Sequence, residues 1–544
     1  MATLALDQAP SAEEPTGPRF DYKTHPLAKL LFALILIGAL GFAGWSVFTD
    51  TQVAGETLAF GVFAFLGVAL VIALGFEFVN GFHDTANAVA TVIYTNSMPA
   101  HLAVVWSGFF NFLGVMFSSG AVAYAIITML PVELILNVGS GAGFAMIFAL
   151  LFAAVLWNLA TWYVGLPNSS SHTLIGSVLG VGFANQLLAA GSKGGTSGVD
   201  WAQATKILTG LWMAPLIGFF AAMALLWVMK LLIRSPQLYK APMPNTPPPL
   251  GIRAMLIATC TGVSYFHGSN DGQKGMGLIM LILIGCAPTA YALNRTIPAS
   301  ATPAYVATAN AAIAAFDRKG GPDMTPDAAR KVLTQTLQKK SSGPEMFGAL
   351  ESLSRDLTAR VAGFGSLSAV PAAATQNVRN DMYLVLDSIK IATKKPDTFT
   401  APEAKAVKDY QAQLEGGTRF IPLWVKIVVA IALGLGTMIG WRRIVVTVGE
   451  RIGKQHMTYG MGASAEMVAA GTIWAADAFG LPVSTTHILS SGVAGASVAS
   501  GAGLQARTLL QLAAAWLMTL PVAMALSGGL YWVFLSGVRM AGLG

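Results

Sequence analysis

Long apolar segments alternate with short polar loops along most of the chain. A helix needs about 20 apolar residues to cross a bilayer core of about 30 Å. Windows of that kind lie near residues 27–48, 57–80, 101–130, 142–165, 207–233, 254–290, 421–441 and 509–537. Shorter, glycine-rich windows lie near residues 173–190, 462–479 and 488–503. The pattern predicts an all-α polytopic membrane protein with about 10–12 transmembrane segments, including re-entrant or broken helical hairpins.

Composition agrees with this class and separates one segment from the rest. The chain is 54% hydrophobic and only 11% charged, unlike a soluble globular domain. Residues 294–420 nevertheless hold 16 basic and 12 acidic residues, nearly half of all its charges. We therefore predict a soluble, helical insertion there, with helices near Asp327–Leu337, Glu345–Ala362 and Asn377–Ala392. The other predicted parts are a polar N-terminal tail (1–26) and two pieces of membrane domain (27–293 and 421–544).

Two motifs occur twice, in the same order. GFHDTANA starts at Gly81 and GSNDGQKG at Gly268, while GLPNSSSHT starts at Gly165 and GLPVSTTHI at Gly480. Asp84 and Asp271 lie 187 residues apart in the sequence, whereas His172 and His487 lie 315 residues apart. The second copy is therefore longer by 128 residues, which is close to the length of the predicted insertion. The duplication predicts two inverted repeats, the frame of many secondary transporters, with a site where they meet.

Polar residues in the first motif pair follow helical spacing. Steps of three and four place one polar stripe on a helix of each copy; the stripes are Glu77, Asn80, Asp84, Asn87 and Thr91, and Ser264, His267, Asp271 and Lys274. Each ionisable side chain costs roughly 2.5–3.5 kcal/mol at the bilayer centre. These stripes must therefore face each other, water or a bound ion.

The second motif pair suits an anion. A proline precedes three hydroxyl residues, which we expect to begin a helix in each copy; they are Ser169, Ser170 and Ser171, and Ser484, Thr485 and Thr486. Backbone N–H groups and the helix dipole both favour an anion at such a start. Two of them brought together could surround a tetrahedral oxyanion, while nearby acids would hold accompanying protons or cations.

Basic loops indicate the orientation. Positive charge is concentrated in two short loops, which the positive-inside rule places in the cytoplasm; their basic residues are Lys230, Arg234, Lys240 and Arg253, and Arg442, Arg443, Arg451 and Lys454. The insertion is then expected on the outer side.

The chain resembles the Pit-type inorganic phosphate transporters, in particular the bacterial low-affinity phosphate permeases. The resemblance rests on GFHDTANAVATVIYT from Gly81, GSNDGQKGMG from Gly268, GLGTMIGWRR from Gly434 and GLPVSTTHILSSGVAG from Gly480. It implies secondary symport of phosphate. It also implies a substrate site formed by Asp84, Asn87, Ser169, Ser170, Ser171, Asn270, Asp271, Ser484, Thr485 and Thr486.

Coupling is the second implication of the resemblance. The pair His83-Asp84 resembles the proton-coupled bacterial branch, whereas many sodium-coupled members have Asn-Asp in both copies. Importing a monoanion into a negative cell costs about 2.3 kcal/mol per 100 mV, so net drive needs more than one cation. A neutral divalent metal–phosphate complex needs only one proton, and the resemblance to the bacterial branch implies such a complex as the substrate. We therefore expect proton symport of that complex, with sodium coupling as the alternative and Glu77, His83 and Lys274 in coupling or charge compensation.

The remaining expectations concern partners and location. We expect no organic cofactor and no nucleic acid. The predicted partners are inorganic phosphate, protons or sodium, a divalent metal ion as the phosphate complex, and the lipid bilayer. The metal ligands and any homo-oligomer stay open. The predicted location is the cell inner membrane.

Two other functional classes compete with a transporter. A Ser–His–Asp intramembrane hydrolase is disfavoured, because adjacent Ser171 and His172 point about 100° apart on a helix and no GxSxG motif surrounds them. An anion channel would also place polar stripes along its pore. Proton-driven accumulation of phosphate distinguishes a transporter from a channel, because a channel can only dissipate a gradient.

Overall fold

The computed structural model describes residues 25–84, 86–130, 132–189, 199–243, 246–339, 343 and 345–542. Most of the predicted polar tail, Thr85 and the side chain of Asn87 lie outside this description. Within it, the chain is helical and contains no strand, only one isolated bridge between Gly453 and Leu504.

Eleven α-helices precede the charged segment within the described residues. They are α1 (Pro26–Val53), α2 (Phe60–Asp84), α3 (Ala86–Tyr94), α4 (Ala100–Phe117), α5 (Ala121–Ile127), α6 (Val132–Leu136), α7 (Gly141–Tyr163), α8 (Ser170–Ala189), α9 (Trp201–Leu232), α10 (Leu250–Cys286) and α11 (Pro288–Tyr291). A 3₁₀ turn at Pro236–Tyr239 lies between α9 and α10.

The charged segment folds into a small helical bundle. Its helices are α12 (Thr302–Asp317), α13 (Pro326–Lys339), α14 (Glu345–Phe364), α15 (Ala372–Ala392) and α16 (Ala401–Thr418), with 3₁₀ turns at Ala299–Ala301 and Pro396–Thr398. The three helices predicted from the sequence correspond to α13, α14 and α15, whereas α12 and α16 were not predicted. A separate hydrophobic core, with Phe316, Leu353 and Val385 among its fully buried members, holds the bundle together. We call residues 294–420 the insertion. Its predicted boundaries stay a prediction.

The chain returns to the membrane domain after the insertion. The helices are α17 (Leu423–Thr437), α18 (Arg442–Glu450), α19 (Tyr459–Ala478), α20 (Thr485–Ser500) and α21 (Ala506–Met540). Both long helices α9 and α21 contain an internal proline, at Pro215 and Pro521.

Several helices are able to cross a membrane. Within the described residues, six have the length and hydropathy of a span, and the pair α16 and α17, bent by 69°, would be a seventh. The six are Pro26–Val53, Phe60–Tyr94, Ala100–Phe117, Gly141–Tyr163, Trp201–Leu232 and Ala506–Met540. The chain is therefore an all-α, multi-pass membrane protein. The larger predicted number of 10–12 segments also includes shorter or more polar helices such as α8, α10 and α20, and it stays a prediction.

Helices that are far apart in the chain pack against each other in the membrane domain. Helix α8 packs against α21, and α20 packs against α9. In the same way, α4 packs against α10 while α17 packs against α2. Helices α2, α8 and α20 are thus each held by a helix from the other piece of the membrane domain, whereas α10 is held by α4 of its own piece.

Glycines bring these crossing helices into backbone contact. A Cβ atom added at Gly268 would collide with the backbone oxygen of Asn111, and one at Gly81 with the backbone oxygen of Leu433. Small residues at helix crossings are how membrane helices approach closely. The tight crossings fix the positions of Asp84 and Asp271, each three residues after such a glycine.

The membrane domain has two distinct ends. At the insertion end, Arg379 donates to the backbone oxygen of Ile135 at 2.9 Å, so the insertion packs on the loops around α6. At the opposite end, Tyr239 of the first basic loop packs against Gly460, the second residue of α19, which follows the second basic loop. The cytoplasmic side predicted for these loops stays a prediction.

Candidate functional site

Asp84 lies between the two hydroxyl motifs. Its Oδ2 atom accepts a hydrogen bond from Ser170 Oγ at 2.5 Å, and its Oδ1 atom accepts one from Thr486 Oγ1 at 2.8 Å. Ser170 belongs to the first copy of the hydroxyl motif and Thr486 to the second, so one carboxyl group joins the two copies. All three side chains are almost completely buried.

The hydroxyl motifs begin helices, as the sequence predicts. Ser169 Oγ accepts from the backbone N–H of His172 at 3.1 Å at the start of α8, and Ser484 Oγ accepts from the backbone N–H of His487 at 3.1 Å at the start of α20. These caps satisfy one backbone donor in each first turn and leave the positive end of each helix dipole directed at the centre. Ser171 Oγ also donates to the backbone oxygen of Val483 at 2.6 Å, so the two helix starts touch.

Asp271 lies on the other side of Ser170. The Ser170 hydroxyl is 3.4 Å from Asp271 Oδ2 and 2.7 Å from Asn80 Oδ1, in addition to its contact with Asp84. A hydroxyl group has one hydrogen to donate. Three acceptor oxygens therefore compete for one hydroxyl proton, so further donors or positive charge must satisfy the others.

Lys274 supplies the positive charge found at this centre. Its Nζ atom is 2.6 Å from Asp271 Oδ2 and 2.5 Å from Ser171 Oγ, and its side chain is fully buried. His267 Nε2 is 3.4 Å from the same Asp271 oxygen, and His267 Nδ1 is 2.6 Å from Asn111 Oδ1. A buried ion pair is stable only with such close geometry and additional hydrogen bonds.

Two further predicted residues surround the aspartates. His83 Nδ1 is 3.2 Å from Asp84 Oδ1, while His83 Nε2 is 3.2 Å from Thr161 Oγ1. Glu77 is fully buried, accepts from Asn80 Nδ2 at 3.4 Å and packs against Gly275 of α10. The centre thus holds the carboxyl groups of Glu77, Asp84 and Asp271 beside one ammonium group.

Asn270 has a different set of contacts from the aspartates. Its Nδ2 atom donates to the backbone oxygen of Leu481 at 3.0 Å, and its Oδ1 atom accepts from the backbone N–H of Val483 at 3.3 Å. The amide therefore holds the loop that leads into Ser484. Its predicted role as a substrate ligand stays a prediction.

A histidine pair connects the two helix starts from behind. The rings of His172 and His487 are 4.4 Å apart, and His487 stacks on Trp516 at 4.2 Å. His172 Nδ1 is also 2.9 Å from Ser169 Oγ. This pair braces the hydroxyl motifs.

One group of residues has the spacing of a cation site. Single ligand atoms of Asp84, His267 and Asp271 all lie within 4.8 Å of one another, and the three residues are buried. Two carboxylates and an imidazole suit a divalent metal ion. The ammonium of Lys274 occupies one Asp271 oxygen, so a cation must share or displace it. Among the described residues, the Oδ1 atom of Asp271 has no hydrogen-bond partner.

Packing closes the site toward both ends of the membrane domain. Toward the insertion end, Gln273 accepts from the backbone N–H of Val122 at 2.9 Å and donates to Asp477 at 2.7 Å. Toward the opposite end, Trp162 donates to the backbone oxygen of Gly440 at 2.9 Å and Thr447 to that of Gly165 at 3.0 Å. Asp84 and Asp271 are 1% and 0% exposed, so the centre is occluded from both sides.

The structure brings most predicted site residues together around Ser170, Asp84 and Asp271. The side chain of Asn87 lies outside the described residues. Thr485 is buried, and its hydroxyl has no hydrogen-bond partner among them. His267 was placed on the polar stripe but not among the site residues. Its position four residues before Asp271, on the same helical face, is the signal that identifies it.

The chain is similar in sequence to known transporters. Residues 80–527 match the family model described as the phosphate transporter family. The chain is 41% identical over 507 residues to the low-affinity inorganic phosphate transporter PitA of Escherichia coli (strain K12), covering 89% of this chain and 98% of that protein. It is 38% identical over 502 residues to PitB of the same strain, described in the same words, covering 87% and 98%. A solved structure titled the sodium-dependent phosphate transporter is similar at a TM-score of 0.46 and 18% identity, covering 86% of this chain and 98% of that one.

Proposed function

The chain belongs to the phosphate transporter family, and from that premise we propose that it imports inorganic phosphate as a divalent metal–phosphate complex by proton symport. The relatives are named as transporters and not as enzymes, in agreement with the prediction that the chain is not an enzyme. We place it in the cell inner membrane, with the insertion outside and the basic loops in the cytoplasm.

One observation carries the proposal. The buried carboxyl group of Asp84 accepts hydrogen bonds from the hydroxyl groups of Ser170 and Thr486. These two residues lie at the starts of two helices that come from different copies of the motif. A carboxylate is an oxyanion, and these donors suit a phosphate oxygen equally well. Phosphate would take over the hydroxyl donors, with the two helix dipoles directed at it.

Cations must accompany phosphate at this centre. Three carboxyl groups and one ammonium already surround it, so an added anion meets excess negative charge. A divalent ion carried with the phosphate would lie among Asp84, His267 and Asp271, whose ligand atoms have suitable spacing. Lys274 would then turn from Asp271 toward the phosphate or Ser171.

We assign the coupled proton to the carboxyl groups and to His83. His83 Nδ1 lies 3.2 Å from Asp84 Oδ1, so a proton would move only a short distance between them. Protonated His83 would donate to Asp84 Oδ1 and release the Thr486 hydroxyl to the substrate, while Asp84 stays ionised for the cation. Sodium coupling is the alternative, with sodium in the position of the divalent ion.

Transport requires the two closed ends to open in turn. We propose that the two motif pairs form inverted repeats, and that the contacts of Gln273 and those of Trp162 are the closures toward the outside and the cytoplasm. Alternating access would break one set while the other holds. The occluded centre is the intermediate between the two open states.

Phosphate accumulation in proteoliposomes tests this function. With an imposed inward proton gradient and external Mg²⁺, labelled phosphate should accumulate above its equilibrium level, and a proton ionophore should abolish the accumulation. Replacing the proton gradient by a sodium gradient should give no accumulation. Accumulation driven only by sodium would favour the alternative, and phosphate flux that never exceeds equilibrium would indicate a channel.

A further inference from the structure

A large cavity lies where the insertion meets the membrane domain. Its volume is about 780 Å³, and it is lined by α5, the first turns of α9, the loop after α19, and helices α15 and α16 of the insertion. Charged side chains, among them Lys206, Asp387 and Lys394, line much of it. The position and polarity distinguish it from a lipid-facing groove.

The floor of the cavity reaches the neighbourhood of the site. Gly480 and Ala121 line the cavity and touch each other, and a Cβ atom on Gly480 would lie 3.2 Å from the Ala121 Cβ. The next residue, Leu481, accepts the hydrogen bond from Asn270, which directly precedes Asp271. The contact between Ala121 and Gly480 therefore lies between the cavity and the residues that lead to Ser484.

Most charges in the lining are paired. Lys390 and Arg419 both bridge to Asp387, at 2.9 and 3.1 Å, and both approach Glu415, at 3.6 and 3.5 Å. This set is neutral as a whole. Asp200, the third acid of the lining, accepts from the backbone N–H of Gln203 as the cap of α9.

Two lysines remain after this pairing. Lys206 and Lys394 line the cavity, are exposed, and make no ion pair among the described residues. With Asp200 counted, the lining has four basic and three acidic side chains, so its net charge is +1. Positive charge on the walls of a concave space raises the local concentration of anions.

We propose that this cavity is an outer vestibule that binds the phosphate oxyanion at Lys206 and Lys394, before it passes the contact between Ala121 and Gly480. The inference rests on the proposed function and adds a first binding position and a role for the insertion, which supplies Lys394, in the turn after α15, and nearly half of the lining residues. The ion pairs around Asp387 hold the insertion wall in place. The floor opens when Gln273 releases Val122 and Asp477.

Single-cysteine chemistry tests the vestibule. The two native cysteines, Cys260 and Cys286, are buried, so a membrane-impermeant thiol reagent added outside will act on an introduced cysteine. Lys394→Cys should raise the half-saturating phosphate concentration about 3–10-fold with the maximal rate unchanged, because it removes a charge that concentrates the anion. A positively charged methanethiosulfonate should restore the wild-type value, and a negatively charged one should raise it further.

Matched measurements complete the test. Lys405→Cys, on the exposed face of α16 beside Asp409, should respond to neither reagent. Saturating phosphate should slow modification of Lys394→Cys relative to chloride at equal ionic strength. Unchanged half-saturation in the Lys206→Cys/Lys394→Cys variant, or no protection by phosphate, would overturn the vestibule. Absence of phosphate uptake by the unmodified protein would instead overturn the proposed function.

Discussion

Asp84→Asn removes the carboxyl group that joins the two hydroxyl motifs. The variant keeps the size of the side chain but replaces one acceptor oxygen by a donor, opposite either Ser170 or Thr486. It also removes a negative charge from a group whose ligand atoms lie within 4.8 Å of one another. A cation among those atoms lies about 4 Å or less from the carboxylate.

The expected loss follows from that distance. Two unit charges 4 Å apart interact by about 4 kcal/mol at an effective dielectric constant of about 20. That free energy corresponds to about a 10³-fold weaker hold on the cation and the phosphate bound with it. The missing acceptor lowers the affinity further. Uptake at low phosphate should therefore fall below detection.

The assay is initial uptake of labelled phosphate by proteoliposomes with equal amounts of inserted protein. Asp50→Asn is the matched control, because Asp50 accepts from Tyr291 at 2.8 Å and Trp424 at 3.0 Å near the insertion end, and an amide oxygen can accept both bonds. The control should transport normally. More than a tenth of wild-type uptake by Asp84→Asn would refute the assignment of Asp84.

Three further predictions concern single contacts. Thr485→Val should leave the melting temperature unchanged, because its hydroxyl has no partner among the described residues. It should raise the half-saturating phosphate concentration about 2–10-fold, which corresponds to the loss of one hydrogen bond to phosphate. Ser490→Ala is the control, because it removes another hydroxyl of α20 that has no partner among the described residues, and it should leave the half-saturating concentration unchanged. Equal effects of the two substitutions would contradict a specific role for Thr485. Lys274→Gln should lower the stability of the detergent-solubilised protein by about 3–5 kcal/mol, because Asp271 loses its buried counter-ion; adding Asp271→Asn should recover part of the loss, and an unchanged thermal unfolding curve for the single variant would contradict the ion pair. Lys319, the backbone N–H of Thr400 and Arg318 lower the pKa of Glu403 to about 2. The stability that these interactions with ionised Glu403 contribute is fully present above the ordinary pKa of about 4.5 and is lost as the pH falls toward 2. Amide exchange of α16 should therefore be faster in Glu403→Gln than in wild type at pH 7, and the difference should shrink below about pH 3; a difference that is constant with pH would exclude the ion pairs as its cause.

Local periodicity was sufficient to predict the polar centre. Helical spacing placed Asp84 and Asp271 on inward faces, and the proline followed by hydroxyl residues gave the starts of α8 and α20. The meeting of these elements followed from the duplication, because one repeat alone cannot surround a ligand. The four-residue spacing between His267 and Asp271 also indicated that His267 lies near the possible cation site with Asp84 and Asp271.

Contacts that depend on loop paths and on packing partners could not be predicted. Nothing in the sequence indicates that Asn270 binds the backbone of the Leu481 loop, or that Glu77 packs on Gly275. Helix α12 was missed because its alanine-rich sequence has little polar periodicity. Helix α16 carried a readable signal, the capping box from Thr400 to Glu403.

The most direct measurement of the central claim is an experimental structure of the protein with bound phosphate and Mg²⁺ in lipid nanodiscs. The account predicts phosphate within hydrogen-bond distance of both Ser170 and Thr486, with the cation against Asp84 and Asp271. Phosphate density at only one of the two helix starts, or away from both, would contradict it.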